Sequence, residues 1–450
     1  IFLYKLTLIK RHRIDLVRSF SPINLNPSLW VKGILSLLTN FEPEITLSDG
    51  NVTHPKEHLV VVIKRIKNAY HEIINPTEGT TLKITDVKIT VWNWKDIPPV
   101  QYLRDFKADK AHNSQMGLVR IMTDEGIEGH AFLGSAYSPI GRDGATLVER
   151  YKPLLVGRDP FDRELIWQKM AKWASGGSMR VIGAVDVALW DLAGKAAGVP
   201  VHKIMGTFRE SAPAYASSQI LGSAEEYVEY ALKYKEAGWH AYKMHPPGKA
   251  AEDIRICKAV REAVGDDFRL MLDSTWSYDY PDALRVGQVI EELGFYWFED
   301  PLKWDDIYGY EKLKQVLKIP LMATELPANG PTTYAPWLLH RATDYLRGDP
   351  ALKGGLTSCL KTAHTAETFQ MNYEIHHGGN SLNNVANLNL LMALPNSELF
   401  EVLLPDTAQK HGLIEDIKVD KHGMVHAPTS PGLGYEIDFD LIEHNKVTDI

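Results

Sequence analysis

The sequence predicts an α/β protein, in which a TIM-type (β/α) barrel follows a small α+β domain. After Ser211, eight apolar strand-like runs alternate with helical runs. Parallel neighbours require crossover connections of this kind. Titratable residues at the ends of successive runs recur at steps of 30, 26, 26, 24, 27 and 25 residues from Lys243 to Glu401. That is about the length of one βα unit. Before the barrel, residues from Leu82 onward read as antiparallel strands followed by helices.

Composition bounds the alternatives. The 450 residues are 44% hydrophobic and 24% charged, as in an ordinary globular protein. A net charge of −8 argues against a general nucleic-acid binder. Cys257 and Cys359 are too few for a disulfide framework, so a cytoplasmic protein is expected. No apolar run reaches the roughly 18–20 residues of a membrane span.

Residues 1–81 carry 10 Lys+Arg against 7 Asp+Glu (net +3), whereas the remainder carries 39 against 50 (net −11). The first methionine is Met116. Residues 1–81 are therefore expected to be an N-terminal extension without a part in the working protein; the alternative is an accessory segment with one helix over His58–Ile74. From Leu82, LKITDVKITVW alternates as a half-buried strand does. MGLVRIMTDEGIEGHAFLG gives two strands around Asp124-Glu125-Gly126. Ser178–Gly198 has helical apolar spacing and ends at Gly198 before Pro200. These place an α+β domain at 82–205. The barrel takes 206–405, with strands at PAYASS, HAYKMH, FRLMLD, FYWFED, IPLMATE, DYLRGD, NYEIHH and LFEVLLP. Residues 406–450 are turn-rich and are expected to return to the small domain.

Active sites of such barrels lie at the C-terminal strand ends. Asp273, Glu299 and Glu325 each end an apolar run. Three ionised carboxylates brought together repel, and a hard divalent cation resolves the conflict; Mg²⁺ is the expected ion. Lys243 and His245 are two apart on one strand and so face the same way. Either is a candidate base, and Lys243 could instead pair with the carboxylates. Asp349 and His376 lie on adjacent strands, where a carboxylate orients an imidazole and raises its basicity. His377 competes with His376, and Asp344 is a weaker rival to Asp349. Glu401 is expected to be a protonated donor with a raised pKa. GGNSLNN (Gly378–Asn384) is a candidate backbone cradle. Trp92–Asp96 belongs to a loop over the pocket or to the core.

Together AVDVALWDLAGKAAGVPV, YKMH, MLDSTWS, FEDP, TEL, GDPALKGGLTS and EIHHGG resemble the mandelate racemase/muconate lactonizing enzyme group of the enolase superfamily, over some 370 residues. The resemblance implies a modified TIM barrel with an α+β capping domain. It implies metal ligands at Asp273, Glu299 and Glu325, a Lys-x-Lys pattern at Lys243 and His245, an Asp–His dyad at Asp349 and His376, and the last strand's acid at Glu401. The second lysine of that pattern is His245 here, which leaves open which face of the substrate loses its proton. The expected chemistry is removal of the α-proton of a small carboxylate. Dehydration of a sugar acid to a 2-keto-3-deoxy acid is favoured over racemisation, epimerisation or cycloisomerisation. The resemblance also implies a homo-oligomer, with specificity set by cap loops around Asp96–His112.

Overall fold

The computed structural model describes residues 82–104, 110–174, 178–326 and 329–450. The helix expected over His58–Ile74 lies outside the described residues.

The alternating segment after Leu82 forms β1 (Ile84–Ile97). It pairs antiparallel with β2 (His112–Thr123), which pairs with β3 (Glu128–Leu133). Gly126 turns the β2–β3 hairpin at φ 76°, a conformation that favours glycine. Trp92 and Trp94 on β1 are buried, so the Trp-rich stretch is core, not a loop. The long helix α1 (Met179–Ala197) starts where the Ser178 side chain accepts from Arg180 N–H, and it stops at Gly198 with φ 69°. Its apolar residues pack on β2 and β3.

The eight expected barrel strands are all present. They are β4 (Ser211–Ser217), β5 (Ala241–Met244), β6 (Arg269–Asp273), β7 (Trp297–Glu299), β8 (Leu321–Ala323), β9 (Tyr345–Gly348), β10 (Asn372–Ile375) and β11 (Phe400–Leu403). Consecutive strands from β4 to β10 pair in parallel, and β11 pairs with β4. The barrel is nearly closed: among the described residues, no strand ladder joins β10 to β11. Side chains and single bonds bridge that seam. The Glu374 carboxylate accepts the backbone N–H groups of Glu398 and Leu399, and Glu401 accepts that of His377. Short β12 (Met424–His426) adds to β4, and β13 (Lys446–Asp449) pairs with β1. The C-terminal segment thus returns to the antiparallel sheet.

The strand period of two then stacks the barrel interior in layers. Tyr215, Ala241, Met271, Trp297, Met322 and Leu399 form an apolar cluster of buried residues. Two residues further along their strands stand Lys243, Asp273, Glu299 and Glu401, all buried. The charged layer therefore sits directly above the apolar plug, at the C-terminal strand ends.

Candidate active site

Asp273 ends β6 and lies opposite Glu299 of β7 in the parallel ladder. Glu325 follows β8. Each of the three offers a carboxylate oxygen, and these oxygens lie within 4.8 Å of one another. Trans oxygens around Mg²⁺ are separated by about 4.2 Å, given its ~2.1 Å bonds. The donor set is all oxygen and spans nearly that distance, so it fits a hard divalent cation.

Charges around this trio are unevenly shared. Lys243 Nζ lies 3.1 Å from Asp273 Oδ2, 3.0 Å from Glu299 Oε2 and 2.8 Å from Glu401 Oε1. Burial alone would lower the lysine's pKa, but Glu299 and Glu401 outweigh that and hold it well above its usual value. Lys243 is thus a fixed ammonium and not a neutral base. For Asp273, burial is outweighed by Lys243 and His245, which hold the acid well below its usual range. Burial wins at Glu299, whose pKa is raised, with Arg347 opposing.

Glu401 differs from expectation. Its Oε2 accepts from Arg347 and from the His377 N–H, while Oε1 faces Lys243. Burial pushes its pKa up, but Arg347 and Lys243 together bring it well below the usual range. The carboxyl is ionised, not the protonated donor the sequence suggested. The cause is Arg347, fully buried on β9, which also pairs with Glu299 at 2.5 Å. Sequence reasoning missed this residue. The signal was present: Arg347 stands two residues before Asp349 and so faces the barrel interior.

The two imidazoles approach the trio from opposite sides. His376 Nδ1 lies 2.7 Å from Asp349 Oδ2, and its Nε2 lies 3.4 Å from Glu325 Oε1. Asp349 caps a short helical turn, its Oδ1 accepting the N–H groups of Ala351 and Leu352. Burial disfavours the imidazolium of His376, but Glu325 and Asp349 overcome it and raise its pKa to about 9. His245 Nδ1 lies 2.6 Å from the Ser218 carbonyl, so that nitrogen carries a proton, and Nε2 lies 3.0 Å from Asp273 Oδ2.

His377 is turned away. Its Nδ1 accepts from Gly379 N–H, Nε2 contacts Asn384, and burial lowers its pKa to about 3. The Gly378 N–H is given to Asn384, so the glycine-rich segment spends its donors internally. Asp344 accepts from Lys314 and from the Leu321 N–H, away from the dyad.

Four non-glycine residues just beyond the strand ends sit in the left-handed region: Thr275 (φ 45°), Trp276 (φ 59°), Asp300 (φ 43°) and Thr324 (φ 85°). Such strain concentrates at functional sites. Asp300, also missed from the sequence, is a buried acid whose pKa is pushed well up by burial and by Glu325, Asp273 and Glu299. A pocket of about 290 Å³ opens over Lys243, His245, Asp273, Glu325 and His376. The segment after β1 supplies Val100, Tyr102 and Leu103 to its wall, and Tyr137 follows β3.

Comparison with known proteins places this geometry. Residues 84–206 match the family described as mandelate racemase / muconate lactonizing enzyme, N-terminal domain, and residues 226–441 match that described as enolase C-terminal domain-like. A crystal structure of D-glucarate dehydratase from Agrobacterium tumefaciens complexed with magnesium is 33% identical, with a TM-score of 0.75 over 82% of this chain and 100% of that one. The chain belongs to the mandelate racemase/muconate lactonizing enzyme group of the enolase superfamily. Within the group, the arabinonate dehydratase of Saccharolobus solfataricus is 28% identical over 74% of this chain and 91% of its own. The D-galactarolactone cycloisomerase of Agrobacterium fabrum is also 28% identical, over 74% and 91%. Among the described residues, no helix is long and apolar enough to cross a membrane.

Proposed function

We propose that this enzyme is a Mg²⁺-dependent dehydratase of a sugar acid, which removes the proton α to the carboxylate and expels the β-hydroxyl to leave a 2-keto-3-deoxy acid. One observation carries the reading: two imidazole Nε2 atoms converge from β5 and β10 on one carboxylate trio. In it, Asp273, Glu299 and Glu325 would hold the cation, which would supply positive charge to stabilise the substrate carboxylate.

The residues divide the remaining work. His376 takes the α-proton at Nε2, because its Nδ1–H is committed to Asp349, which also stabilises the imidazolium that forms. His245 has an oxygen acceptor at each ring nitrogen, which suits it to give a proton to the departing hydroxyl from the other side. Lys243 remains an ammonium and favours negative charge as it develops on the substrate carboxylate.

A second reading is carried by the same pair of imidazoles. Bases on both faces also suit racemisation or a cycloisomerase reaction, the activity named for the Agrobacterium fabrum relative. A panel of acid sugars in D₂O with Mg²⁺ separates these. Dehydration yields 2-keto acid detectable with semicarbazide. Deuterium uptake with changed optical rotation and no keto acid would select the second reading. Neither response from any acid sugar would overturn both.

A further inference from the structure

Glu325 reaches the carboxylate trio against the strand's own alternation. Met322 of β8 belongs to the inward apolar cluster. Alternation would send Thr324 inward next and Glu325 outward. Instead Thr324 sits at φ 85°, and the chain gains a one-residue change of phase that brings Glu325 to Asp273 and Glu299. A β-branched residue does not hold that conformation by preference. Something must hold it, and two neighbours do. The Thr324 hydroxyl accepts from Arg347 N–H at 2.9 Å. The Thr324 carbonyl accepts from Lys353 Nζ at 2.7 Å.

Lys353 is 1% exposed, although a lysine is rarely fully buried. Its ammonium lies 4.8 Å from the Tyr334 ring centroid. Room for its stem comes from Gly348: a Cβ there would lie 2.9 Å from Lys353 Cγ and 2.5–2.6 Å from the Tyr373 and Tyr334 hydroxyls. Lys353 also belongs to the helical turn Pro350–Lys353 that Asp349 caps, and its N–H bonds the Asp349 carbonyl. One side chain therefore ties the Asp349–His376 turn to the peptide that aims Glu325.

We infer that Lys353 is a positioning residue, whose ammonium clamps the strained Thr324 peptide and so presents Glu325 to the metal. The inference rests on the metal reading of the trio and adds a residue that reading does not use.

The test measures Mn²⁺ affinity by electron paramagnetic resonance on the full-length protein, with Mg²⁺ competition. The wild type should bind Mn²⁺ and Glu299→Gln should not; equal binding by both would sink the metal reading itself. With that established, Lys353→Met should weaken Mn²⁺ binding at least tenfold, and kcat at saturating metal should fall less than the affinity does. A merely structural role would lower the melting temperature and kcat with metal affinity unchanged, and that result overturns the inference alone. The double variant Lys353→Met/Thr324→Gly provides the rescue, because glycine adopts a positive φ without the clamp. It should recover Mn²⁺ affinity relative to Lys353→Met. If Lys353→Met does not fold, the double variant is compared with Thr324→Gly alone: affinities within threefold support the clamp, and a tenfold gap refutes it.

Discussion

Asp349 Oδ2 lies 2.7 Å from His376 Nδ1, while the other oxygen of the same carboxylate caps the turn that follows β9. One side chain thus orients the imidazole and is itself oriented by two backbone N–H groups. The two duties separate by substitution. Asparagine is as good a cap as aspartate but brings no charge to the histidine. Asp349→Asn should therefore keep the melting temperature within a few degrees and lower kcat by about 10²–10⁴, the usual worth of a general base. His376→Asn should match that loss in rate, and His377→Asn should not. Steady-state kinetics beside thermal denaturation checks all three.

The same dyad has a charge dependence that binding can reveal. Burial opposes the His376 imidazolium, and Glu325 is the first of the groups that overcome it and raise its pKa to about 9. A cation on Glu325 cancels part of that carboxylate's field. The imidazole should then lose its proton at lower pH, so divalent metal shifts the His376 titration downward from about 9. Imidazole C–H resonances followed against pH, with and without Mg²⁺, measure this. An unchanged or upward shift would contradict the assignment of Glu325.

Glu299→Gln tests the trio from its most buried member. Glutamine keeps the volume but removes the charge facing both Lys243 and Arg347. Metal-dependent turnover should be abolished, falling below about 10⁻³ of wild type, because a metal ligand and the balance of two cations are lost together. Turnover near the wild-type level, with Mg²⁺ still required, would remove Glu299 from the proposed ligand set.

How much of this was legible in the sequence follows from the strand period. The spacing from Lys243 to Glu401 located the strand ends because every βα unit is nearly the same length. His376 could be favoured over His377 only weakly, since alternation says that one of two neighbours faces inward and not which. In the structure Asp349 Oδ2 lies 2.7 Å from the His376 ring, which supports the first of the two. Glu401 was misread because its ionisation depends on Arg347 of β9, two strands before its own β11 in chain order; alternation points Arg347 inward but does not say that it meets a carboxylate 54 residues away. Thr324 is another such case: a left-handed backbone angle at a β-branched residue runs against its local propensity, and only tertiary contacts reveal it.

The region outside the described residues yields its own expectation. The family match begins at residue 84, and every strand and helix of the fold described above starts at that residue or after it. Removing residues 1–81 should leave kcat and KM within about twofold, since no proposed catalytic group and no barrel strand is lost. A tenfold loss on truncation would give this extension a part in the active enzyme.

Arg347 offers the sharpest stability measurement. It is fully buried, and it pairs with Glu299 and Glu401 while also bonding the Ile375 carbonyl and the Tyr215 hydroxyl. Removing one partner of a buried ionic cluster leaves the others desolvated and uncompensated, at a cost of about 3–5 kcal/mol. Arg347→Met should lower stability by about that amount in urea denaturation at neutral pH. The sign of the pH dependence follows from the carboxylates. Glu401 is held well below its usual range in the native enzyme, so it contributes stability above the unfolded pKa that is lost as pH falls through the folded one. Without Arg347 that depression shrinks. The destabilisation caused by the variant should therefore be largest at neutral pH and become smaller under acid conditions. A penalty that grows on acidification would show that Arg347 acts through packing and not through its charge.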